Sequence, residues 1–329
     1  MTIYHHRFGM IPLRSIFWGG GTPSVLTESA ISTIAEAIHR YFKVPPGIEW
    51  TIEANPETLT AMRLARFVDA GVNRVSVGIQ SARPSELALL GRAHTYSSMV
   101  PCLDLIRDAG IDNINLDLIY GLPGQTLDAV SESIEWVLSQ GPTHLSTYAL
   151  SIEPGTVYAK TGVSPVDDLL QLRMYREIRR RARLDGFRQY EVSAFGRPGY
   201  ESVHNLTYWH YAPYIGLGPS ASSFFNGMAY QQVSSLDRYV ADPTPPVIRV
   251  PLALDSDTLA THFLIANLRR SEGLTYSKIR RELGRDHWGA SAVSVVEMKR
   301  LGLLRRRNDR LQLTRRGVEL MNSVLEGLL

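Results

Sequence analysis

The sequence predicts an α/β protein built on a parallel sheet, followed by a smaller helical domain. Through the first half, short β-branched or aromatic runs alternate with amphipathic stretches joined by Gly/Pro loops, the pattern of strands connected by crossover helices. Successive runs also finish in polar residues or glycine: GGGTP, Glu53 with Asn55, Gln80 with Ser81, Asp117 with the loop Gly121 to Gln125, and Glu153 with Gly155. Polar groups at one rim point to a barrel or part-barrel with its site at the carboxyl ends of the strands. A doubly wound sheet would instead gather its site at one switch point.

The composition sets bounds on this reading. At 329 residues and 44% hydrophobic content, the chain can bury one large core and a smaller one. No window approaches the roughly 20 apolar residues of a membrane span, and the opening MTIYHHRFGM lacks an apolar signal core, so the expected location is the cytoplasm. The single cysteine, Cys102, excludes an internal disulfide and any metal site made from several thiolates of this chain. Net charge is +3, but from His262 onward fourteen Lys/Arg face seven Asp/Glu, giving a basic tail.

The elements follow in order. No periodic pattern is visible before Leu13. Ile16, Phe17 and Trp18 read as the buried end of a strand broken by Gly19, Gly20 and Gly21, either a tight connection or a bare peptide edge for a ligand. Thr27 caps a helix whose buried stripe is Ile31, Ile34, Ala35 and Ile38, stopped by Pro45 and Pro46. A strand Glu49 to Asn55 is followed by a Thr60-capped helix ending at Gly71. The pattern then repeats: strand Arg74 to Gln80, helices Pro84 to Leu90 and Tyr96 to Asp108, strand Asn113 to Tyr120, helix Leu127 to Gln140, strand His144 to Ile152. Asp117 falls inside the apolar run INLDLIYGL, so it is either a satisfied buried carboxylate or a ligand-facing one.

The Arg-rich stretch Leu172 to Arg183 reads as a solvated helix face, and Gln189 to Ala194 as a short strand. Tyr200 to Tyr214 is dense in aromatics, with His204, Asn205, Tyr208 and Trp209 spaced as on one face of a short helix or turn, suited to core packing or to lining a flat apolar ligand. GLGPSA, Gly216 to Ala221, formally matches a dinucleotide fingerprint, but Pro219 interrupts it and no helix pattern follows. Asp242 to Pro251 is a linker by composition, which places the domains at 1–240 and 241–329. Beyond it come helices Thr258 to Leu268, Ser277 to Leu283 and Ala290 to Arg300, then a hairpin around Asn308 and Asp309. Together these resemble a winged-helix module with no base-reading pattern, so a nucleic-acid partner is not expected.

Taken together, IFWGGGTPS, EANP, NRVSVGIQS, LGRAH, NINLDLIYGLPGQT, STYALSIEPGT, YEVSAF, HNLTYW and YIGLGPSAS resemble, in order and over nearly the whole chain, the coproporphyrinogen oxidase-like branch of the radical S-adenosylmethionine (SAM) proteins, and most of all its heme chaperones. The resemblance implies SAM as a cofactor. Gly20, Gly21 and Thr22 would meet its amino and carboxylate ends, and Glu53 the ribose hydroxyls. Gln80 would contact the ribose or methionine part, Arg92 the methionine carboxylate, and Asp117 a hydroxyl or ammonium group, with Leu122 and Pro123 near the adenine. HNLTYW resembles the HNxxYW motif of the heme chaperones and names His204 as a heme contact, with Tyr208, Trp209 and Tyr211 to cover a porphyrin face.

The implied function is heme binding and delivery to an acceptor protein. The alternatives are oxygen-independent coproporphyrinogen III oxidation and a SAM-binding scaffold without catalysis. No membrane span is expected, and peripheral association is left open. The family also uses a four-iron four-sulfur cluster held by a CxxxCxxC loop after its first strand, which is absent from this sequence; Cys102 sits in PCLDLIRDAG instead. Either Met1 is internal to a longer reading frame or the chain is a shortened relative. The expected fold is therefore a partial (β/α)6-type barrel lacking its first strand, with an exposed sheet edge that limits solubility unless Met1 to Leu13 or a second chain covers it.

Overall fold

The computed structural model describes residues 1–92, 96–245 and 256–328. Ala93 and His94 of the LGRAH motif, and the second half of the proline-rich linker, lie outside them. The chain forms two compact units, Gly9–Ser202 and Met1–Phe8 with Val203–Leu329.

The first unit contains strands β1 (Ile11–Pro12), β2 (Ser15–Trp18), β3 (Phe42–Lys43), β4 (Glu49–Ala54), β5 (Arg74–Gln80), β6 (Asn113–Tyr120), β7 (His144–Ala149), β8 (Arg188–Gln189) and β9 (Ala194–Gly196). Seven of them form one sheet in the order β2-β4-β5-β6-β7-β9-β8. β2, β4, β5, β6 and β7 run parallel within it, while β9 is antiparallel to β7 and β8 to β9. β1 pairs with β3 outside this sheet, so β2 is its terminal strand and the first residues do not extend it.

Side chains alternate across a strand, and here the alternation sorts them by polarity. Trp50 and Ile52, Val75, Val77 and Ile79, Ile114, Leu116 and Leu118 share the apolar face and are buried. That face is covered by the crossover helices. Phe67 of the Ala61–Ala70 helix meets Trp18 edge-on at 5.6 Å, and Trp18 meets Trp50 at 5.8 Å. Threonine hydroxyls cap three of these helices: Thr27 accepts from Ala30 N, Thr60 from Arg63 N and Thr126 from Ala129 N.

In the second unit the Thr2–Phe8 helix buries Tyr4 against Phe225, with its hydroxyl bonded to that of Tyr230. Those partners belong to a hairpin of β10 (Ser222–Phe225) and β11 (Met228–Gln231). Downstream, β12 (Leu274–Thr275), β13 (Leu304–Arg307) and β14 (Arg310–Leu313) form a three-stranded sheet in the order β12-β14-β13. It is flanked by helices Ser256–Leu268, Tyr276–Arg300, Arg315–Glu319 and Met321–Leu328, and the hairpin expected around Asn308 is the β13–β14 turn.

Several expectations change. Gln189 to Ala194 is a reversal between β8 and β9 rather than one strand, closed by Tyr190 N–H to Ala194 O and Ser193 N–H to the Glu191 carboxylate. The two helices expected from Ser277 to Arg300 are one, Tyr276–Arg300; an internal glycine, Gly284, costs a helix about 1 kcal/mol but does not end it. The compact units divide at Ser202, ahead of the linker, and Met1–Phe8 groups with the second. The sequence also gave no sign of the Thr2–Phe8 helix, whose two turns are too short to show a period, or of the β10–β11 hairpin.

Candidate functional site

The polar face of the sheet is built row by row by the register. One row runs Thr51–Arg74–Asn113, the next Glu53–Ser76–Asn115–His144, the next Gly78–Asp117–Ser146. Thr51, Arg74, Ser76, Asn115, His144 and Ser146 are all buried. Away from water each must find a partner within the protein.

Asn115 provides most of them. Its Nδ2 donates to Ser76 Oγ at 2.6 Å and to Asp117 Oδ1 at 2.8 Å. Its Oδ1 accepts from Ser146 Oγ at 3.0 Å and from His144 Nδ1 at 2.5 Å. With both amide hydrogens committed elsewhere, the oxygen must be the acceptor, so His144 carries its proton on Nδ1. Burial, with the nearby Arg74 charge, holds the His144 pKa well below its usual value. The neutral ring then accepts at Nε2 from the Tyr190 hydroxyl, 2.7 Å away.

Asp117 is half-buried and bonded on both oxygens, with Ser76 Oγ also donating to Oδ2 at 3.1 Å. Burial nevertheless pushes its pKa up, against the bonds from Asn115, Ser76 and Ser146 and the Arg74 charge, which pull it down. Glu53, on β4 and separated from β6 by β5, is likewise raised, first by burial and further by repulsion from Asp117, while a Gly20 N–H bond opposes the rise.

The glycine loop closes over this rim. Gly20 N–H donates to Glu53 Oε2 at 3.1 Å, so the loop and the β4 carboxylate expected to serve separate parts of a ligand already hold each other. Glu53 Oε1 takes no protein hydrogen bond among the described residues. The glycine that the packing demands is Gly19, absent from the sequence-derived set: a Cβ there would stand 2.4 Å from Phe17 Cε1 and 2.9 Å from Glu53 Cδ. Thr22 is half-buried and precedes the turn Pro23–Val25.

Gln80 ends β5 at φ +67°, beside a register shift between Gly78 and Gln80, and its amide folds back over Gly78. A Cβ on Gly78 would lie 2.8 Å from Gln80 Nε2, so a larger residue there would push the amide aside. Leu122 is fully buried in the core, and Pro123 is half-buried beside it. Arg92 is exposed at the end of the Pro84–Leu89 helix, its N–H bonded to Leu87 O. No hydrogen bond or ion pair joins its guanidinium to Glu53 or Asp117 among the described residues.

A second network fixes the loop after β6, and the sequence reading missed it. Gln125 Oε1 accepts from Gly121 N at 2.7 Å and Leu122 N at 3.2 Å, and its Nε2 donates to Glu86 Oε2 at 3.0 Å. The same oxygen of Glu86 accepts from Ser81 Oγ at 2.5 Å.

His204 belongs to the second unit, on the Val203–Trp209 helix. Its Nε2 is 2.7 Å from the Tyr208 hydroxyl, the rings are edge-on at 4.9 Å, and Tyr208 meets Tyr214 edge-on at 4.5 Å. Trp209 lies under the Arg269 guanidinium at 4.5 Å, and Tyr211 packs on Phe224 at 4.3 Å. The aromatics expected to cover a flat ligand are therefore also engaged with one another and with the core of this unit.

Residues 6–137 match the radical SAM superfamily model, and residues 254–320 match the HemN C-terminal domain. The heme chaperone HemW of Lactococcus lactis is 32% identical over 98% of this chain and 86% of its own length. HemW of Mycobacterium tuberculosis is 34% identical over 96% of this chain and 81% of its own length. The chain belongs to the HemN-like family of radical SAM proteins. Its fold is that of the solved coproporphyrinogen III oxidase (HemN) from Escherichia coli, which superposes with a TM-score of 0.83 at 21% identity, covering 99% of this chain and 80% of that one.

The two cofactors that this HemN-like radical SAM family implies fare differently on the residues present. SAM fits. A carboxylate with an oxygen that takes no protein hydrogen bond among the described residues, Glu53 Oε1, stands beside a loop whose glycines leave the peptide edge bare, with a second, half-buried carboxylate, Asp117, on the same face of the sheet. A four-iron four-sulfur cluster does not fit these residues. The one cysteine, Cys102, is buried in the Tyr96–Asp108 helix with its thiol pushed up to about 12 by burial, and the described residues gather no group of three or more His, Cys, Asp or Glu side chains. No described helix is long and apolar enough to cross a membrane.

Gln125→Ala would leave the Gly121 and Leu122 N–H groups and the Glu86 carboxylate without their partner. A loss of about 2 kcal/mol or more is expected, the scale of buried polar groups left unpaired, read as a lower urea midpoint at unchanged slope.

Proposed function

We propose that this chain binds heme and passes it to an acceptor protein, with SAM seated on the carboxyl-end rim of the first unit. The observation that carries the reading is its similarity, over nearly its whole length, to proteins named heme chaperone HemW. His204 is the iron ligand in this reading. Its Nε2 is held by the Tyr208 hydroxyl, so ligation through that nitrogen requires the tyrosine to release it, and the imidazole is already oriented by the bond it gives up.

On the rim, Glu53 Oε1 accepts from the vicinal ribose hydroxyls, which suit a carboxylate, and Asp117 receives a hydroxyl or ammonium group. Gly20, Gly21 and Thr22 offer backbone groups to the methionine end, and Gln80 meets the ribose or methionine part. Arg92 reaches the methionine carboxylate as a charged fork. When bound, SAM supplies the sulfonium-linked adenosyl group characteristic of the family. The protein's part is to orient it on the two carboxylates.

Two measurements test the two halves of the proposal. Heme titrated into the purified protein is expected to give a Soret band that shifts or weakens in His204→Ala. An unchanged affinity and spectrum in the variant would remove His204 as ligand, and no band in the wild type would reject heme binding. For SAM, both carboxyl pKa values lie above their ordinary values. Protonation on acidification therefore begins at higher pH than for exposed carboxylates, and since the ionised form accepts the ligand's hydrogens, affinity falls as pH drops. Calorimetry from about pH 8 downward in steps of about one unit is expected to show that fall, with a shallower slope in Glu53→Gln. A flat profile in the wild type would count against the two carboxylates as the contacts.

A further inference from the structure

We propose that Asn115 and His144 are positioning residues of the SAM site, acting through a saturated hydrogen-bond lattice that holds Asp117 in a single orientation. The proposal rests on SAM occupying the rim.

Asn115 is fully engaged within the sheet. An amide side chain has two donors and an oxygen with two lone pairs, and here all four are taken, by Ser76, Asp117, Ser146 and His144. None of these groups can rotate without stranding another in a buried setting, where an unpaired polar group costs about 1–3 kcal/mol. The lattice spans three adjacent strands, β5, β6 and β7, and is extended by Tyr190, whose hydroxyl fixes the far nitrogen of His144. Asp117 is the member at the ligand end. One oxygen is tied to Asn115 and the other to Ser76, which leaves lone pairs on a carboxylate that cannot swing. A ligand meeting that carboxylate does not have to immobilise it first, and this is how preorganisation adds to affinity.

The alternative is that Asn115 and His144 only stabilise the sheet. The two cases differ in coupling, because a residue that works through Asp117 has nothing left to act on once Asp117 cannot serve the ligand. SAM affinity would be measured by calorimetry for the wild type, Asn115→Leu, Asp117→Asn and the double variant. Each single change is expected to weaken binding about tenfold, the scale of one charge-assisted hydrogen bond, and the double variant to bind no more weakly than the weaker single. Multiplied losses, about a hundredfold in the double variant, or wild-type affinity in Asn115→Leu, would overturn the proposal.

The acid limb of binding provides a second readout. With the Asn115 bond removed, Asp117 faces Glu53 on β4, Arg74 on β5, and His144 and Tyr148 on β7 with one fewer donor to its anion, so the limb should move to higher pH in Asn115→Leu; a limb that stays in place would again contradict the proposal. If Asn115→Leu does not fold, His144→Phe, which keeps the ring volume and removes both nitrogens, takes its place in the same cycle. Absence of SAM binding by the wild type would instead refute the reading of the rim itself, and the proposal with it.

Discussion

The first unit depends on one constraint: its sheet is polar on one face, and most of that face is shut off from water. An ordinary parallel sheet buried on both sides is apolar on both. Here the helix-covered face follows that rule, while the other carries Arg74, Ser76, Asn115, Asp117, His144 and Ser146 in adjoining register positions. Such a face is tolerable only if its hydrogen bonds close among themselves. Around Asn115 they do close, joining Ser76, Asp117, His144 and Ser146, and the half-buried carboxylate of Asp117 is the most open of that set.

Stability and function are therefore hard to separate at this site. The groups that satisfy one another on β5, β6 and β7 are those that fix the geometry offered to a ligand, and the same logic extends to the two loops above. Gly20 ties the first loop to Glu53, and Gln125 ties the turn after β6 to Glu86. In each case a side chain bonds a backbone N–H of the loop, which settles the path of the chain before any ligand arrives. Heme, in this account, is handled by the other unit, where His204 sits in an aromatic setting held together by edge-on contacts.

Much of this was legible in the sequence wherever a signal is local. Thr27 and Thr60 announced their helices, Gly71 its helix end, and the polar strand ends marked the rim that holds Glu53, Gln80 and Asp117. The face beneath the rim was not noticed, although the alternation in RVSVGIQ, NINLDLIY and HLSTYA places Ser76, Asn115 with Asp117, and His144 with Ser146 two residues apart. Reading each strand only at its end passes over that period. Their pairing also needs the register between strands, which no single segment encodes. The demand for glycine at position 19 was not read either, since it comes from the placement of the Phe17 ring and of the Glu53 side chain, the latter thirty-four positions away in sequence. The aromatic cluster around His204 was visible, but not that Tyr211 and Trp209 would be engaged by Phe224 and Arg269.

The central claim is that SAM lies on the rim formed by the ends of β2, β4, β5 and β6. Backbone hydrogen exchange of the intact protein, followed with and without SAM, addresses it most directly because it reports location independently of any mutation. The account predicts slowed exchange in the segments containing Gly19 to Thr22, Gln80 with Ser81, and Gly121 to Gln125. Unchanged exchange in all three under saturating SAM, or protection confined to other segments, would contradict it.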